Sequence, residues 1–268
     1  MYQDLRGKVA LITGVGQMGD PTMWGNGAAI AKVLACENGV NLFGCDLNLD
    51  AAEHTKRRIE AEGGVCSVIA ADVTDAVQVK NLVTACMKKY GRIDILVNNV
   101  GRSEPGGPAE LSEEAWDSQT NVNLKSVYLT CHEVLPIMER QKAGVVINVS
   151  SVAGLRYIGK PQVAYSATKA AIIQFTKTTA ILYAQKGVRL NTVIPGLMHT
   201  PLVSYLADKY ANGDLEGTIA KRNTQVPMGF QGDAFDVANA TAFLISDKAK
   251  YITGTKIVID GGLTSSTG

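Results

Sequence analysis

Three observations on this 268-residue chain predict an α/β fold, a doubly wound parallel sheet with helices on both faces. Short β-branched runs alternate with longer helical patterns along the whole chain. The runs are near-continuously apolar instead of alternating, as expected of strands covered on both faces. A glycine-rich stretch follows the first run.

Strands are expected over residues 8–13, 41–46, 65–70, 93–98, 145–150, 188–194 and 256–260, where Val, Ile and Leu cluster. Helices are expected over 28–37, 49–62, 74–90, 113–140, 164–186 and 233–246, with Asp50, Thr74 and Ser112 as N-caps. One interval breaks the rhythm. Residues 197–230 carry polar helical fragments, Gly213 and Gly217 but no strand, and a connection that long is commonly a lid. Residues 1–268 therefore read as one domain with a substrate lid at 197–230.

Composition narrows the function classes. The chain is 46% hydrophobic, enough for a large core, and 26 Lys and Arg balance 25 Asp and Glu to a net charge of +1. No basic block offers a polyanion footprint, so nucleic acid is not an expected partner. The opening MYQDLRGKVALIT reaches charged residues at once and reads as neither signal peptide nor membrane span. A cytoplasmic protein without a membrane partner is expected. Five cysteines form no CxxC pair and three histidines lie scattered, so reduced core thiols are expected and no metal site.

The stretch TGVGQMGDPTMWGNGAAIAK holds two glycine patterns, and a dinucleotide fold needs the one that leads straight into a helix. The helix N-terminus supplies the free N–H groups and the positive dipole end that hold a pyrophosphate. Gly19 is followed by Asp20, Pro21 and more glycine, a poor helix. Gly27 is followed by AAIAKVLACE, with Ile30, Val33 and Leu34 on one face. The working pattern is Gly14 followed by Gly25, Asn26 and Gly27, and GVGQMG reads as incidental. Asp46 closes the second strand nineteen residues after Gly27, close to the spacing of a ribose-binding carboxylate in a Rossmann-type fold.

With these glycines, the chain from Leu5 to Gly262 resembles the short-chain dehydrogenase/reductase family. Thr13-Gly14 with Gly25 and Gly27 is similar to its TGxxxGxG motif carrying an insertion, and Asn98-Asn99-Val100-Gly101 to its NNAG motif with Val for Ala. Asn123 in VNLKS, Ser151 in VSSVAG, and Tyr165 with Lys169 in YSATK resemble its catalytic tetrad. Asp72 resembles its adenine-contacting Asp, and Pro195-Gly196 and Asp260-Gly261-Gly262 match further landmarks. The resemblance implies cofactor contacts at Val73, Asn99, Gly101, Pro195, Gly196 and Thr200. It also implies a Lys169 contact with the nicotinamide ribose, a water-mediated relay from Asn123 to Lys169, and a homotetramer.

Chemistry gives the same tetrad a purpose. Tyr165 and Lys169 are four apart in a helical stretch and share a face, so the ammonium is expected to lower the phenol's pKa toward the working pH. Tyr165 can then act as general acid for ketone reduction and general base for alcohol oxidation, with Ser151 bonding the substrate oxygen. At Asp46 a carboxylate accepts both adenosine ribose hydroxyls and repels a 2′-phosphate, and DLNLD offers no cation to compensate. NAD(H) is the expected cofactor. The substrate is a small carbonyl or alcohol, with Arg102, Ser103, Val152, Ala153, Arg156, Tyr157, Met198 and His199 as pocket candidates. Either arginine could orient a polar or anionic compound, and each could equally be a solvated charge.

Two alternatives accompany this reading. A catalytically silent dinucleotide-binding regulator would have no chemical need for all four tetrad residues, and an epimerase or dehydratase would need a larger substrate domain. The insertion puts ten residues between Gly14 and Gly25 where the family motif has three. Asp20 is expected to point away from the pyrophosphate. Trp24 is expected to anchor the loop, either as a plug against the protein or in contact with the cofactor.

Overall fold

The computed structural model describes residues 1–16, 20 and 22–267. Its main sheet holds β1 (Val9–Thr13), β2 (Asn41–Asp46), β3 (Cys66–Ala70), β4 (Ile95–Asn98), β5 (Gly144–Val149) and β6 (Val188–Pro195). A two-stranded pair, β7 (Met198–His199) and β8 (Gly232–Asp233), stands apart, and β9 (Lys256–Ile259) completes the main sheet. The main order is β3-β2-β1-β4-β5-β6-β9, parallel throughout. This is the doubly wound order, in which successive crossovers run outward in opposite directions from β1 and β4.

The apolar runs make a two-sided core because strand side chains alternate between faces. Ala10 and Ile12 of β1 pack with Ile30 and Leu34 on one side and with the helix over Ala234–Ile245, whose Val237 and Leu244 are buried. Val9 and Leu11 face the other way, toward Leu82, Val134 and Ile172. The helices are α1 (Asn26–Lys32), α2 (Leu49–Ala61), α3 (Ala76–Tyr90), α4 (Glu113–Thr120), α5 (Ser126–Gln141), α6 (Val163–Ala184), α7 (Pro201–Tyr210), α8 (Leu215–Asn223) and α9 (Ala234–Ile245). All five cysteines are free, and four are buried.

Several boundaries differ from expectation for identifiable reasons. The predicted helix over 113–140 is interrupted by a π turn at Asn121–Lys125, and the first helix ends in another at Val33–Glu37. Such turns have the same apolar period as the helix around them and leave no separate mark in the sequence. Ser112 caps α4 as expected, but Asn48 caps α2 and Asp75 caps α3. Asp50 sits one residue inside α2, and Thr74 instead hydrogen-bonds Asp72. The 197–230 interval contains α7 and α8, and the short strand β7 within it pairs with β8, so the expectation of no strand there is corrected.

The inserted loop folds back onto the helices. Arg58 of α2 donates to the carbonyls of Met23 at 2.6 Å and Thr22 at 3.0 Å, and its guanidinium lies 3.5 Å from the Trp24 ring centroid. Trp24 also meets Phe235 of α9 edge to face at 6.3 Å. The ring packs between helices. The Asp20 carboxylate accepts from Thr22 N at 2.8 Å and Oγ1 at 2.7 Å, closing a local turn. Gly19 and Pro21, also weighed from sequence, lie outside the described residues.

The turn after β1 depends on two bare Cα positions. Gly14 has φ +71°, and a Cβ at Gly27 would stand 2.1 Å from the Gly14 carbonyl and 2.5 Å from Asn99 Nδ2. Gly27→Ala is therefore expected to destabilise the fold by about 2–3 kcal/mol, since backbone cannot yield as a side chain can. A Tm lower by roughly 5–10 °C in calorimetry would show it; an unchanged Tm would mean the turn is looser than drawn.

Candidate active site

The sheet's crossovers reverse between β1 and β4, opening a crevice at the carboxyl ends of these strands. A cleft of 510 Å³ lies there, lined among others by Gly14, Asp46, Asp72, Val73, Asn99 and Gly101. Asn99 fixes its floor by donating from Nδ2 to the Gly14 carbonyl at 3.0 Å, while its own N–H donates to Thr13 Oγ1. Asp46 ends β2, with Oδ2 accepting from Gly16 N at 2.9 Å and Oδ1 from Asn48 N at 3.1 Å. Asp72 Oδ1 accepts from Thr74 N and Oγ1, which fixes the carboxylate at the rim.

Gly25 is the N-cap of α1 and Asn26 its first residue, so the helix starts where the glycine argument placed it. Asn26 Oδ1 is buried there without a hydrogen-bond partner among the described residues. A glycine-walled turn, a helix start with its free N–H groups and a carboxylate at the end of β2 fit a dinucleotide. Pro195 closes β6, Gly196 N donates to the Ile259 carbonyl at 2.8 Å, and Thr200 precedes α7. Neither these three, at and beyond the end of β6, nor Gly25, Asn26 and Gly27 line the cleft. Gly16, set aside in sequence with GVGQMG, does line it. The only signal for it was its place two residues after Gly14.

The tetrad converges from three elements. Ser151 follows β5 and caps a short 3-10 turn, its hydroxyl accepting from Ala153 N at 3.2 Å, and its side chain lies beside that of Tyr165 on α6. Ser150 instead donates to the Lys169 carbonyl at 2.7 Å, which leaves Ser151 as the candidate serine. Lys169, 2% exposed, donates from Nζ to the Val149 carbonyl at 3.0 Å. Asn123 is fully buried in the π turn, and its side chain accepts from Arg102 N at 2.8 Å and donates to Arg102 O at 2.9 Å. Gly101 joins this group to the cleft, since a Cβ there would stand 2.9 Å from Lys169 Nζ and 3.2 Å from Asn123 Oδ1.

A chain of buried polar side chains holds the helices that carry these groups. Thr130 of α5 donates to Asn98 Oδ1 at 2.7 Å, Asn98 donates to Asn148 Oδ1 at 2.8 Å, and Asn148 donates to Thr176 of α6 at 2.8 Å. Sequence reading missed this network, because its members look like isolated polar residues until β4 and β5 are paired.

Burial, not the lysine, dominates the tyrosine. The Tyr165 phenol is pushed above its ordinary pKa by burial, opposed by the Ser151 hydrogen bond, so the expected lowering is corrected. Lys169 Nζ lies 5.6 Å from the Tyr165 ring centroid, and burial brings its own pKa down to about 8. The pocket arginines have internal partners. Arg102 pairs with Glu104 at 2.9 Å and donates to Ser118, and Arg156 donates to the carbonyls of Leu263 and Ser266. Ser103 hydrogen-bonds Gln162, Val152 and Ala153 are buried, and Tyr157 is exposed. Arg222 donates to the Met198 carbonyl, and His199 Nδ1 is buried without a partner among the described residues.

With this geometry in place, the chain can be set beside known proteins. A family profile described as "Enoyl-(Acyl carrier protein) reductase" matches residues 22–264. The 2,5-dichloro-2,5-cyclohexadiene-1,4-diol dehydrogenase LinX of Sphingobium indicum is 37% identical over 262 residues, 98% of each chain. A crystal structure assigned to the short-chain dehydrogenase/reductases, from Burkholderia xenovorans, superposes with a TM-score of 0.94 at 44% identity, covering 99% of this chain and 100% of that one. An actinorhodin polyketide ketoreductase variant with NADPH gives 0.89 at 29% identity, covering 97% and 98%. The chain belongs to the short-chain dehydrogenase/reductase family. It is an oxidoreductase with a Rossmann-type fold that binds a nicotinamide dinucleotide. Among the described residues, no helix is long and apolar enough to cross a membrane.

Lys169 has a stability signature. With a folded pKa of about 8 and an ordinary one of 10.5, its buried charge weakens the fold fully below pH 8, and the penalty is relieved as pH rises toward 10.5. From pH 7 to pH 10 the wild type should gain about 2 kcal/mol relative to Lys169→Met. Urea denaturation at both pH values measures it, and a constant difference would mean that the ammonium is well solvated.

Proposed function

We propose that this protein is an NAD(H)-dependent oxidoreductase interconverting a secondary alcohol and a ketone. The observation that carries the reading is the convergence of Ser151, Tyr165, Lys169 and Asn123 beside Gly101, which lines the cleft at the carboxyl ends of the strands. When bound, the cofactor supplies or accepts the hydride. Tyr165 gives its phenolic proton to the carbonyl oxygen in reduction and takes one back in oxidation. Ser151 donates a hydrogen bond to the same oxygen as charge builds on it, which favours the transition state over the ground state. Its raised pKa keeps Tyr165 protonated at neutral pH, the form that reduction requires.

Lys169 contributes a cation that stabilises a phenolate once it forms and reaches the nicotinamide ribose. Asn123, beside Lys169, holds a water through which the lysine proton is replenished. Asp46 accepts from the adenosine ribose hydroxyls and repels a 2′-phosphate, which favours NAD(H) although a structural relative holds NADPH. Gly14, Gly25, Asn26 and Gly27 surround the pyrophosphate, Asp72 and Val73 the adenine, Asn99 and Gly101 the ribose, and Pro195, Gly196 and Thr200 the nicotinamide end.

The chain acts as one domain, with residues 197–230 closing over a small carbonyl or alcohol substrate. LinX, a dehydrogenase of a cyclic diol by name, supports an alcohol substrate. The protein works in the cytoplasm as a homotetramer, and exposed Tyr128, Ile181 and Leu182 on α5 and α6 supply an apolar face for the subunit contact.

Tyr165→Phe removes the proton donor and keeps the ring. Turnover on a carbonyl panel should fall by ~10²–10⁴ with NADH affinity nearly unchanged, and retention of more than a few per cent would place the acid elsewhere. Asp46→Ala or Asp46→Ser should lower kcat/KM with NADH and raise it with NADPH. A wild type that already favours NADPH would end the ribose-carboxylate reading.

A further inference from the structure

The backbone after β1 is bound to the end of β2 residue by residue through the first residues of the enlarged loop. Gly14 N and Val15 N both donate to the Cys45 carbonyl, at 2.8 and 3.2 Å. The Val15 carbonyl accepts from Thr55 Oγ1 at 2.9 Å, and Gly16 N donates to Asp46 Oδ2 at 2.9 Å. A Cβ at residue 16 would lie 2.9 Å from Asp46 Cγ and Oδ2 and 2.9 Å from Ala51 Cβ. Ala51 is fixed in α2, whereas the Asp46 side chain can rotate. The carboxylate is therefore the group that would yield.

We propose that Gly16 is a positioning residue for cofactor selection, holding Asp46 by its N–H and leaving, by its bare Cα, the room that the carboxylate occupies at the cleft. The proposal rests on Asp46 being the ribose carboxylate. A carboxylate oxygen that accepts one N–H keeps a lone pair for a ribose hydroxyl, so the anchored group still serves as acceptor. Gly16 N and Asn48 N, the two backbone donors on the carboxylate, are both taken by it, so neither is free for a 2′-phosphate. The chain thus refuses the extra phosphate by charge and by withholding donors.

The test is a double-mutant cycle of Gly16→Ala and Asp46→Ala, with Kd measured for NADH and NADPH by fluorescence. Gly16 has no positive φ, so alanine is compatible with its backbone angles and acts by the space it takes. Gly16→Ala should weaken NADH about tenfold and leave NADPH within about twofold, and the NADH effect should vanish in the Asp46→Ala background. An undiminished loss in that background, or equal loss for both cofactors, would overturn the proposal alone. If Asp46→Ala leaves NADH binding unchanged, the ribose reading falls and the proposal with it. Should Gly16→Ala fail to fold, amide hydrogen exchange decides. The Gly16 amide should exchange at least about tenfold faster in Asp46→Ala than in wild type, and an equal rate would overturn the proposal.

Discussion

The Gly14 carbonyl is where three parts of the chain meet. It sits at the end of β1, receives the Asn99 amide from the end of β4, and lies so close to Gly27 that no side chain fits between them. This contact sets the distance between the first strand, the first helix and the strand across the topological switch point. The cleft is the space left above it. Moving any one of the three would misplace the helix start and the carboxyl end of β4 together, and with them the groups that could face a dinucleotide.

A second set of constraints fixes the other half of the site. Asn98 and Asn148 are buried on neighbouring strands, and their amides reach Thr130 on α5 and Thr176 on α6. A network of this kind is favourable only when every member is paired, and then it specifies one arrangement of the helices. Asn123 leads into α5 and Tyr165 and Lys169 lie on α6, so the network determines how closely they approach. The π turn at Asn121–Lys125 turns the Asn123 side chain onto the backbone of Arg102. Lys169 gives up hydration for one carbonyl partner, a costly state that a protein keeps where the charge is used.

The insertion between Gly14 and Gly25 is accommodated without disturbing either set. Its far end is held by Arg58 and by Trp24 packed on Phe235, on the side of α1 facing α2 and α9. Its near end leaves only after Gly16 has bonded to Asp46. Loop-closure entropy grows slowly with length, so two firm anchors are enough to carry the seven extra residues.

By itself the sequence determined the parallel sheet, the alternation of strands and helices and the helix start near Gly27, and it named four residues that the fold draws together. Those features are encoded locally, in apolar runs, in glycine followed by helix formers, and in side chains at i and i+4. It also identified Ser151 and Trp24 as residues to watch. Tertiary structure decided the rest. Whether Lys169 would lower the Tyr165 pKa depended on how deeply both are buried, and burial prevailed. Arg102 and Arg156 looked available until Glu104 and the backbone near the C-terminus were seen to occupy them. Gly16 looked idle because its partner, Asp46, lies thirty residues away in the chain. Electrostatics and close packing join residues that are distant in sequence, so they become visible only when the sheet brings those residues together.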